Sequence, residues 1–313
     1  MAYVLTRIVS AIPTLFVVVT IIFFVIRATP GDPALAALGD NASAAALDTF
    51  RQRMGLYDPL WLQYWNFISD LAQGNLGVSL ASGRGVNAQI AAVVPHTIQL
   101  TFSAILVGMV IGIPLGVACA RKPNSPVDYF GRLISLAGLS FPSFFLAIIL
   151  MYIFAVTLGL FPTVGAGPFN DPARNLYHLI LPALSLGAIA TAYITRVTRS
   201  TVLNTLSEDY VRTAKAKGAP AKRVMFRHAL RPALVPVVSL VGVFSVSLLG
   251  GSVMTEIVFA RPGLGRTMVQ ATLQRDYTLL QSCMVVFAVI VIVMNLITDI
   301  LYGLLDPQVR AGR

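Results

Sequence analysis

TIQLTFSAILVGMVIGIPLGVACA, residues 97–120, contains no Asp, Glu, Lys or Arg. At 1.5 Å per residue, a helix of that length crosses the roughly 30 Å of hydrocarbon in a bilayer. Five further stretches share the property: Ile8–Ile26, Leu133–Leu160, Leu176–Ile194, Ala233–Met254 and Tyr277–Thr298. The composition agrees, with 313 residues that are 56% hydrophobic and only 12% charged, and a mean hydropathy of +0.77. A soluble domain carries about twice that charged fraction. The predicted fold class is therefore all-α, a polytopic membrane protein with six transmembrane helices. The third stretch is long enough to tilt, and Pro142 is placed to kink it. The apolar run at Ile8–Ile26 exceeds the 7–15 residues of a cleaved leader, and no small-x-small site precedes Pro30, so it reads as an uncleaved span.

The net charge of +10 invites a nucleic-acid reading until its distribution is examined. With the N-terminus in the cytoplasm, the inner segments hold Arg7, the group Arg121, Lys122 and Arg132, nine basic residues from Arg196 to Arg231, and Arg310 and Arg313. The outer segments hold Arg27, Arg51, Arg53, Arg84, Arg174, Arg261, Arg266 and Arg275. That bias places both termini in the cytoplasm and accounts for the basic excess without nucleic acid. Cys119 and Cys283 both fall in apolar runs and read as small hydrophobes, so neither a disulfide nor a metal site is expected.

The segment from Arg27 to His96 is expected outside. Asn41–Met54 reads as a short helix with Leu47, Phe50 and Met54 on one face, stopped by Gly55. Asp58-Pro59 reads as an N-cap and first-turn proline for a helix bearing Trp61, Tyr64, Trp65, Ile68 and Leu71. Both tryptophans lie here, which suits an interfacial anchor as well as a helix packed on the protein. Gly74–Gly85 reads as a loop. The predicted division is 1–26 as the first span, 27–96 as the external segment, 97–303 as the core and 304–313 as a cytoplasmic tail.

Gly108, Gly112 and Gly116 are each four apart and form a smooth strip on one helix face, where another backbone can approach closely. The chain has no G-x-x-x-x-G-K-[ST], and no Gly is followed by Lys, so it has no phosphate-cradling loop. It has no H-E-x-x-H and no G-x-S-x-G. The spans carry no acidic or basic stops for a proton relay. If solute moves uphill, its energy arrives from outside the membrane core. A secondary transporter, a channel or a membrane scaffold remain the alternatives. Pro114, Pro142, Pro182 and Pro236, with Gly242, Gly250 and Gly251, are candidate bending points as well as ordinary packing residues.

The longest cytoplasmic loop, Thr195–Arg231, contains a helix bounded at both ends. Ser207 is placed to cap it, Glu208 and Asp209 sit in its first turn, and Lys215 and Lys217 in its last. Gly218 takes the left-handed stop and Pro220 prevents continuation. Between them run Tyr210, Val211, Arg212, Thr213, Ala214, Lys215 and Ala216. Small Ala214 and Ala216 permit close approach of a partner, and Tyr210 and Val211 offer an apolar grip. A solvated basic loop needs no such sharp stop, so the segment reads as a docking element.

SEDYVRTAKAKG (207–218), followed by HALRPAL (228–234), resembles the cytoplasmic EAA loop of ABC importer permeases, and of the dipeptide, oligopeptide and glutathione branch in particular. The resemblance runs the length of the chain. It includes PGDP (30–33), LYDPL (56–60), SFP (140–142), FPTVG (161–165), LPAL (181–184), VFARPGLGR (258–266), RDY (275–277) and DPQVR (306–310). Against the general motif, Arg212 stands in place of its glutamate, Thr213 in place of its first alanine, and the closing proline falls one place later at Pro232.

The resemblance implies a type I ABC importer permease fold in the bacterial inner membrane and a non-catalytic subunit with no cofactor of its own. ATP and Mg would sit on two partner ATPase subunits. A second homologous permease subunit and an external solute-binding protein would complete the assembly. The helix Glu208–Lys217 would insert into a groove on an ATPase subunit, with Gly218 as the motif's glycine. Val258–Arg266 is expected as an external turn near the mouth of the path.

Overall fold

The computed structural model describes residues 2–28, 32–39 and 41–305. Pro30 and Gly31 of the first resemblance motif lie outside the described residues, as do 306–313 with the DPQVR run, Arg310 and Arg313. Among the described residues the regular elements are helical, apart from one antiparallel bridge between Val78 and Gly85. In chain order they are α1 (Ala2–Ala28), α2 (Pro33–Leu38), α3 (Ala44–Arg53), α4 (Leu60–Ala72), α5 (Val86–Arg121), α6 (Pro126–Ser140), α7 (Ser143–Leu150), α8 (Pro172–Leu206), α9 (Asp209–Ala216), α10 (Ala221–Arg223), α11 (Arg231–Val258), α12 (Leu264–Leu273) and α13 (Tyr277–Leu305). Two π-helical segments, Met151–Thr157 and Val224–Leu230, continue α7 and join α10 to α11.

Among the described residues five helices are long and apolar enough to span: Thr6–Ala28, Val86–Arg121, Pro172–Leu206, Ala221–Val258 and Tyr277–Ile300. The stretch expected as the third span is broken instead. Pro126–Ser140 and Ser143–Thr157 meet at 105°, so the chain has six spans only if this bent pair counts as one. Proline disfavours the α conformation in the residue before it. Phe141 accordingly takes φ −97° and ψ 131°, and α7 starts afresh after Pro142. The expected kink is a corner. The expected cytoplasmic loop 195–231 is also largely helical, because α8 runs on to Leu206 and α9, α10 and the second π-helical segment follow.

The chain forms two compact units. The first comprises Thr97–Arg261 with the ends of the first and last helices. Its central element is α8, packed by α6, α7 and α11. In its apolar window 67% of residues are buried, against 11% for α13, so α8 is sheathed by protein while α13 leaves most of its apolar surface uncovered, as a lipid solvent permits. Asp171 caps α8 by accepting from the Arg174 amide at 3.1 Å, with Pro172 in its first turn. Leu100 and Ala104 of α5, Leu179, Ala183, Leu186, Ala190 and Ile194 of α8, and Val237 and Leu248 of α11 form its largest core.

The second unit comprises Ile8–His96 with Pro262–Ile292. Here α4 lies along α1: Phe67, Ile68 and Leu71 pack on the cluster of Val19, Ile22, Ile26 and Val285. Tyr64 shares a 2.7 Å hydrogen bond with Thr20, and Phe67 stacks on Phe23. Trp61 and Trp65 point away and are 70% and 67% exposed. The helix therefore combines a protein-facing side with an aromatic side free for an interface. It opens one residue later than expected, with Pro59 rather than Asp58 at the N-cap position. The helix expected over Asn41–Met54 is shorter, Ala44–Arg53, and Ser43 caps it by accepting from the Ala46 amide. Buried Asp276 ties the 79–81 loop to the start of α13. It accepts from the Ser79 hydroxyl at 2.5 Å and from the Leu80, Ala81 and Leu279 amides.

Candidate functional site

The segment singled out as a docking element folds as α9, two residues shorter than expected. Glu208 is its N-cap residue but makes no side-chain capping bond, and Asp209 and Lys215 supply the charges that suit the helix dipole. Ser207 does not cap α9. It closes α8 instead, with its hydroxyl donating to the Asn204 carbonyl at 2.6 Å. Lys217 is the C-cap, and Gly218 follows at φ +80°, a left-handed conformation that costs glycine little. The Gly218 amide donates to Lys215 and the Ala219 amide to Ala214.

The faces of α9 are divided differently from the expectation. Val211 is fully buried, and α9 packs on the π-helical segment 224–230 and on α8. Val211 therefore grips its own chain, and the apolar grip expected for a partner is reduced to half-exposed Tyr210. The Tyr210 hydroxyl donates to the His228 carbonyl at 3.3 Å, and burial against its surroundings raises its pKa. Ala214 lies partly buried on the Val211 side, whereas Ala216 is exposed. Asp209, Arg212, Thr213 and Ala216, at helical spacings of three and four, form the outward stripe, flanked by Lys215 and Lys217.

The glycine strip faces α8. A Cβ added to Gly108 would stand 2.7 Å from Ala190 Cβ, one on Gly112 3.0 Å from Ile194 Cβ, and one on Gly116 2.6 Å from Thr198 Cβ. The partner helix belongs to this chain, and its contact residues also recur every four positions.

Two buried ionic constellations in the first unit escaped the sequence reading. Asp128 in the first turn of α6 is fully buried and accepts from Arg199 of α8 through Nε and Nη2, at 2.5 and 2.8 Å. It also accepts from the Asn124 amide at 2.9 Å, so the turn before α6, α6 and α8 meet on one carboxylate. The second surrounds Arg261, the largest side chain wholly withdrawn from solvent among the described residues. Its Nη2 donates to Gln99 Oε1 at 2.7 Å, Gln99 donates to Asn175 Oδ1, and Asn175 donates to the Gly167 carbonyl at 2.7 Å. Fully buried Glu256 accepts from the Thr97 hydroxyl at 2.6 Å. Desolvation pulls the Arg261 pKa down to about 10, opposed by the Glu256 charge. Within the expected external turn 258–266, Phe259 and Arg261 are both buried. The available signal was polar Thr97 and Gln99 opening an apolar run, with Glu256 and Arg261 five apart near the end of another.

Among the described residues no group of three His, Cys, Asp or Glu side chains is placed to hold a metal ion. What the site offers is a short helix anchored on one side, presenting charged and small residues on the other.

Comparison with known proteins places these features. Residues 112–311 match the family model described as binding-protein-dependent transport system inner membrane component, and residues 1–101 match the model of its N-terminal part. The chain is 38% identical to the dipeptide transport system permease protein DppB of Alkalihalophilus pseudofirmus, over 99% of each chain. It is 40% identical to the glutathione transport system permease protein GsiC of Salmonella typhimurium over 98% of each, and 39% identical to the oligopeptide transport system permease protein AppB of Bacillus subtilis over 99% of each. Its fold resembles that of a chain of the MetNI methionine ABC transporter solved in inward facing conformations, with a TM-score of 0.57 and 20% identity. That likeness covers 69% of this chain and 96% of the other. With its apolar helices and its match over nearly the whole length, this chain belongs to the family of binding-protein-dependent transport system inner membrane components, multi-pass permease subunits of the bacterial inner membrane.

Proposed function

We propose that this chain is one membrane subunit of an ATP-driven importer of short peptides, a dipeptide, an oligopeptide or glutathione, released to it by an external solute-binding protein. The observation that carries this reading is the full-length identity of 38–40% to dipeptide, glutathione and oligopeptide permeases. A second, homologous permease subunit would complete the pathway, and two ATPase subunits would hold ATP and Mg, with no cofactor on this chain. Both termini and α9 lie in the cytoplasm in this reading, as the Lys and Arg bias favours.

Glu208–Lys217 is the coupling element, with Gly218 as its stop. Its inner side, through Val211, Ala214 and Tyr210, holds it to the chain. Its outward stripe of Asp209, Arg212, Thr213 and Ala216 meets the ATPase groove. ATP binding closes the two ATPase subunits and draws the coupling helices together. The packing of α9 against α8 and the 224–230 segment, which leads into α11, supports transmission of that displacement to the spans. Access then switches from inside to outside, and hydrolysis resets it.

Ala216→Glu tests the coupling. The helix tolerates glutamate, so membrane insertion persists, and co-purification with the ATPase subunits and ATP-dependent peptide uptake in proteoliposomes are lost. Retained co-purification, or uptake that proceeds without any ATPase subunit, overturns the proposal.

A further inference from the structure

The second unit contains a cavity of about 570 Å³, lined by the end of α1, the loop before α4, one side of α4 and the first turns of α13. That volume lies within the range of small-molecule sites. Five of its lining residues are charged: Arg27, Asp32, Arg51, Asp58 and Asp70. Arg51 and Asp32 are paired with each other.

Arg27 is different. Its Nε donates to Gln63 Oε1 at 3.0 Å, its Nη1 donates to Gln281 Oε1 at 3.2 Å, and its guanidinium lies 3.5 Å above the centre of the Phe23 ring. Among the described residues no carboxylate stands within ion-pair distance of it. Two amide oxygens and a ring fix its orientation without neutralising its charge.

Asp58 is the complement. Its backbone carbonyl accepts from Gln63 Nε2 at 2.8 Å, while its carboxylate accepts no hydrogen bond and no ion pair from any described residue. One side-chain amide therefore touches Arg27 with its oxygen and the Asp58 backbone with its nitrogen. Two hydrogen bonds of about 3 Å and an amide between them put the guanidinium within about 8 Å of the Asp58 backbone. Extended peptide covers about 3.3 Å per residue, so about two residues of chain span that interval.

An oriented cation without an anion and a carboxylate without a donor, both on the wall of one cavity, are the two halves of a zwitterion trap. We propose that this cavity binds a free dipeptide, its C-terminal carboxylate taken by Arg27 and its α-ammonium by Asp58. The choice of a peptide among zwitterions rests on the importer reading given above; the charge arrangement does not. The permease itself would then hold solute on the side that the charge bias assigns to the exterior, separately from the binding protein.

The test uses the purified full chain in nanodiscs with no ATPase or binding protein, titrated calorimetrically with alanyl-alanine, its N-acetyl form and its C-terminal amide. Saturable binding of the free dipeptide is expected, with each blocked form weaker by about tenfold or more, as loss of a charge-assisted contact implies. Arg27→Gln abolishes the preference for acid over amide, whereas Arg27→Lys keeps it, which separates loss of charge from collapse of the wall. Asp58→Asn abolishes the preference for the free amine. Absence of saturable dipeptide binding, or preferences that these variants leave unmoved, overturns the proposal. So does a cavity that rejects dipeptide and is covered when the binding protein is added. Because no ATPase is present, a negative result leaves the importer reading standing. Failed ATP-dependent uptake alongside intact binding removes that reading and leaves this site.

Discussion

Val211→Ala isolates the anchoring of α9 from its exposed stripe. An eight-residue helix is marginal in water on its own, so α9 depends on docking against the π-helical segment 224–230 and α8. Val211 is fully buried, and trimming it to alanine removes two methyl groups, worth about 1.6 kcal/mol at about 0.8 kcal/mol each. That shifts the equilibrium between docked and undocked helix by about 15-fold. The Lys217, Gly218 and Ala219 amides are bonded to carbonyls within the helix and report this opening directly. Their hydrogen exchange is expected to accelerate about 15-fold, while exchange in the α8 and α11 core stays as in the parent. ATP-dependent uptake falls in parallel, because an undocked helix transmits no displacement. Unchanged exchange at these amides, or acceleration spread equally through α8 and α11, would refute the assignment of Val211 as a local anchor.

Three further outcomes follow from the geometry. Gly116→Ala would press a Cβ to 2.6 Å from Thr198 Cβ and 2.8 Å from the Thr195 carbonyl, whereas Gly250 has nothing within 4 Å. Gly116→Ala should lower the melting temperature of the detergent-purified protein, and Gly250→Ala should leave it unchanged or slightly raised. Arg261→Met removes the donor to Gln99 and the positive charge whose field acts with that of Glu256, and should lower the melting temperature of the purified protein. The double variant Arg261→Met with Glu256→Gln should recover part of the lost melting temperature. Asp32→Asn keeps the cap on the Ala34 amide and removes the ion pair with Arg51. The Arg51 hydrogen bond holds the Asp32 carboxyl below its usual value. Its contribution is therefore present above about pH 4 and fades as the pH falls through the depressed folded value. Hydrogen exchange of α2 and α3 in the variant should exceed that of the parent at pH 6, by the modest amount expected of a partly exposed pair, and the excess should shrink as the pH is lowered below about 4.

The spans were legible because hydrocarbon tolerates no charged interruption, which marks each crossing as an unbroken apolar run. The corner at Pro142 was legible only as a disturbance. Its 105° depends on Phe141 turning to extended geometry, and apolar content says nothing of that. The ends of α9 were readable from Asp209, Lys215 and Gly218, since dipole and left-handed stop are local effects. Its faces were not, because Tyr210 and Val211 are adjacent apolar residues and only packing separates exposed from buried. Gly108, Gly112 and Gly116 announced a close approach, but α8 as the partner appeared only when Ala190, Ile194 and Thr198 were seen opposite. Arg199 was hidden because it already served the topological bias, and Arg261 because it lay in a segment expected outside, where an arginine calls for no buried partner.

The π-helical segment Val224–Leu230 has a consequence for how the chain tolerates changes of length. Such a segment accommodates a surplus residue within a turn while the helices on either side keep their registers. Deleting one residue there would relax the turn to ordinary α-helix and leave α11 presenting the same faces to α8. The same deletion in the middle of α8, where no surplus exists, would rotate every later side chain by about 100° and carry Ala190, Ile194 and Thr198 away from the glycines they cover. Insertions and deletions among relatives should therefore collect at 224–230 and be excluded from 186–198, giving the bilayer core a fixed length and the approach to it an adjustable one.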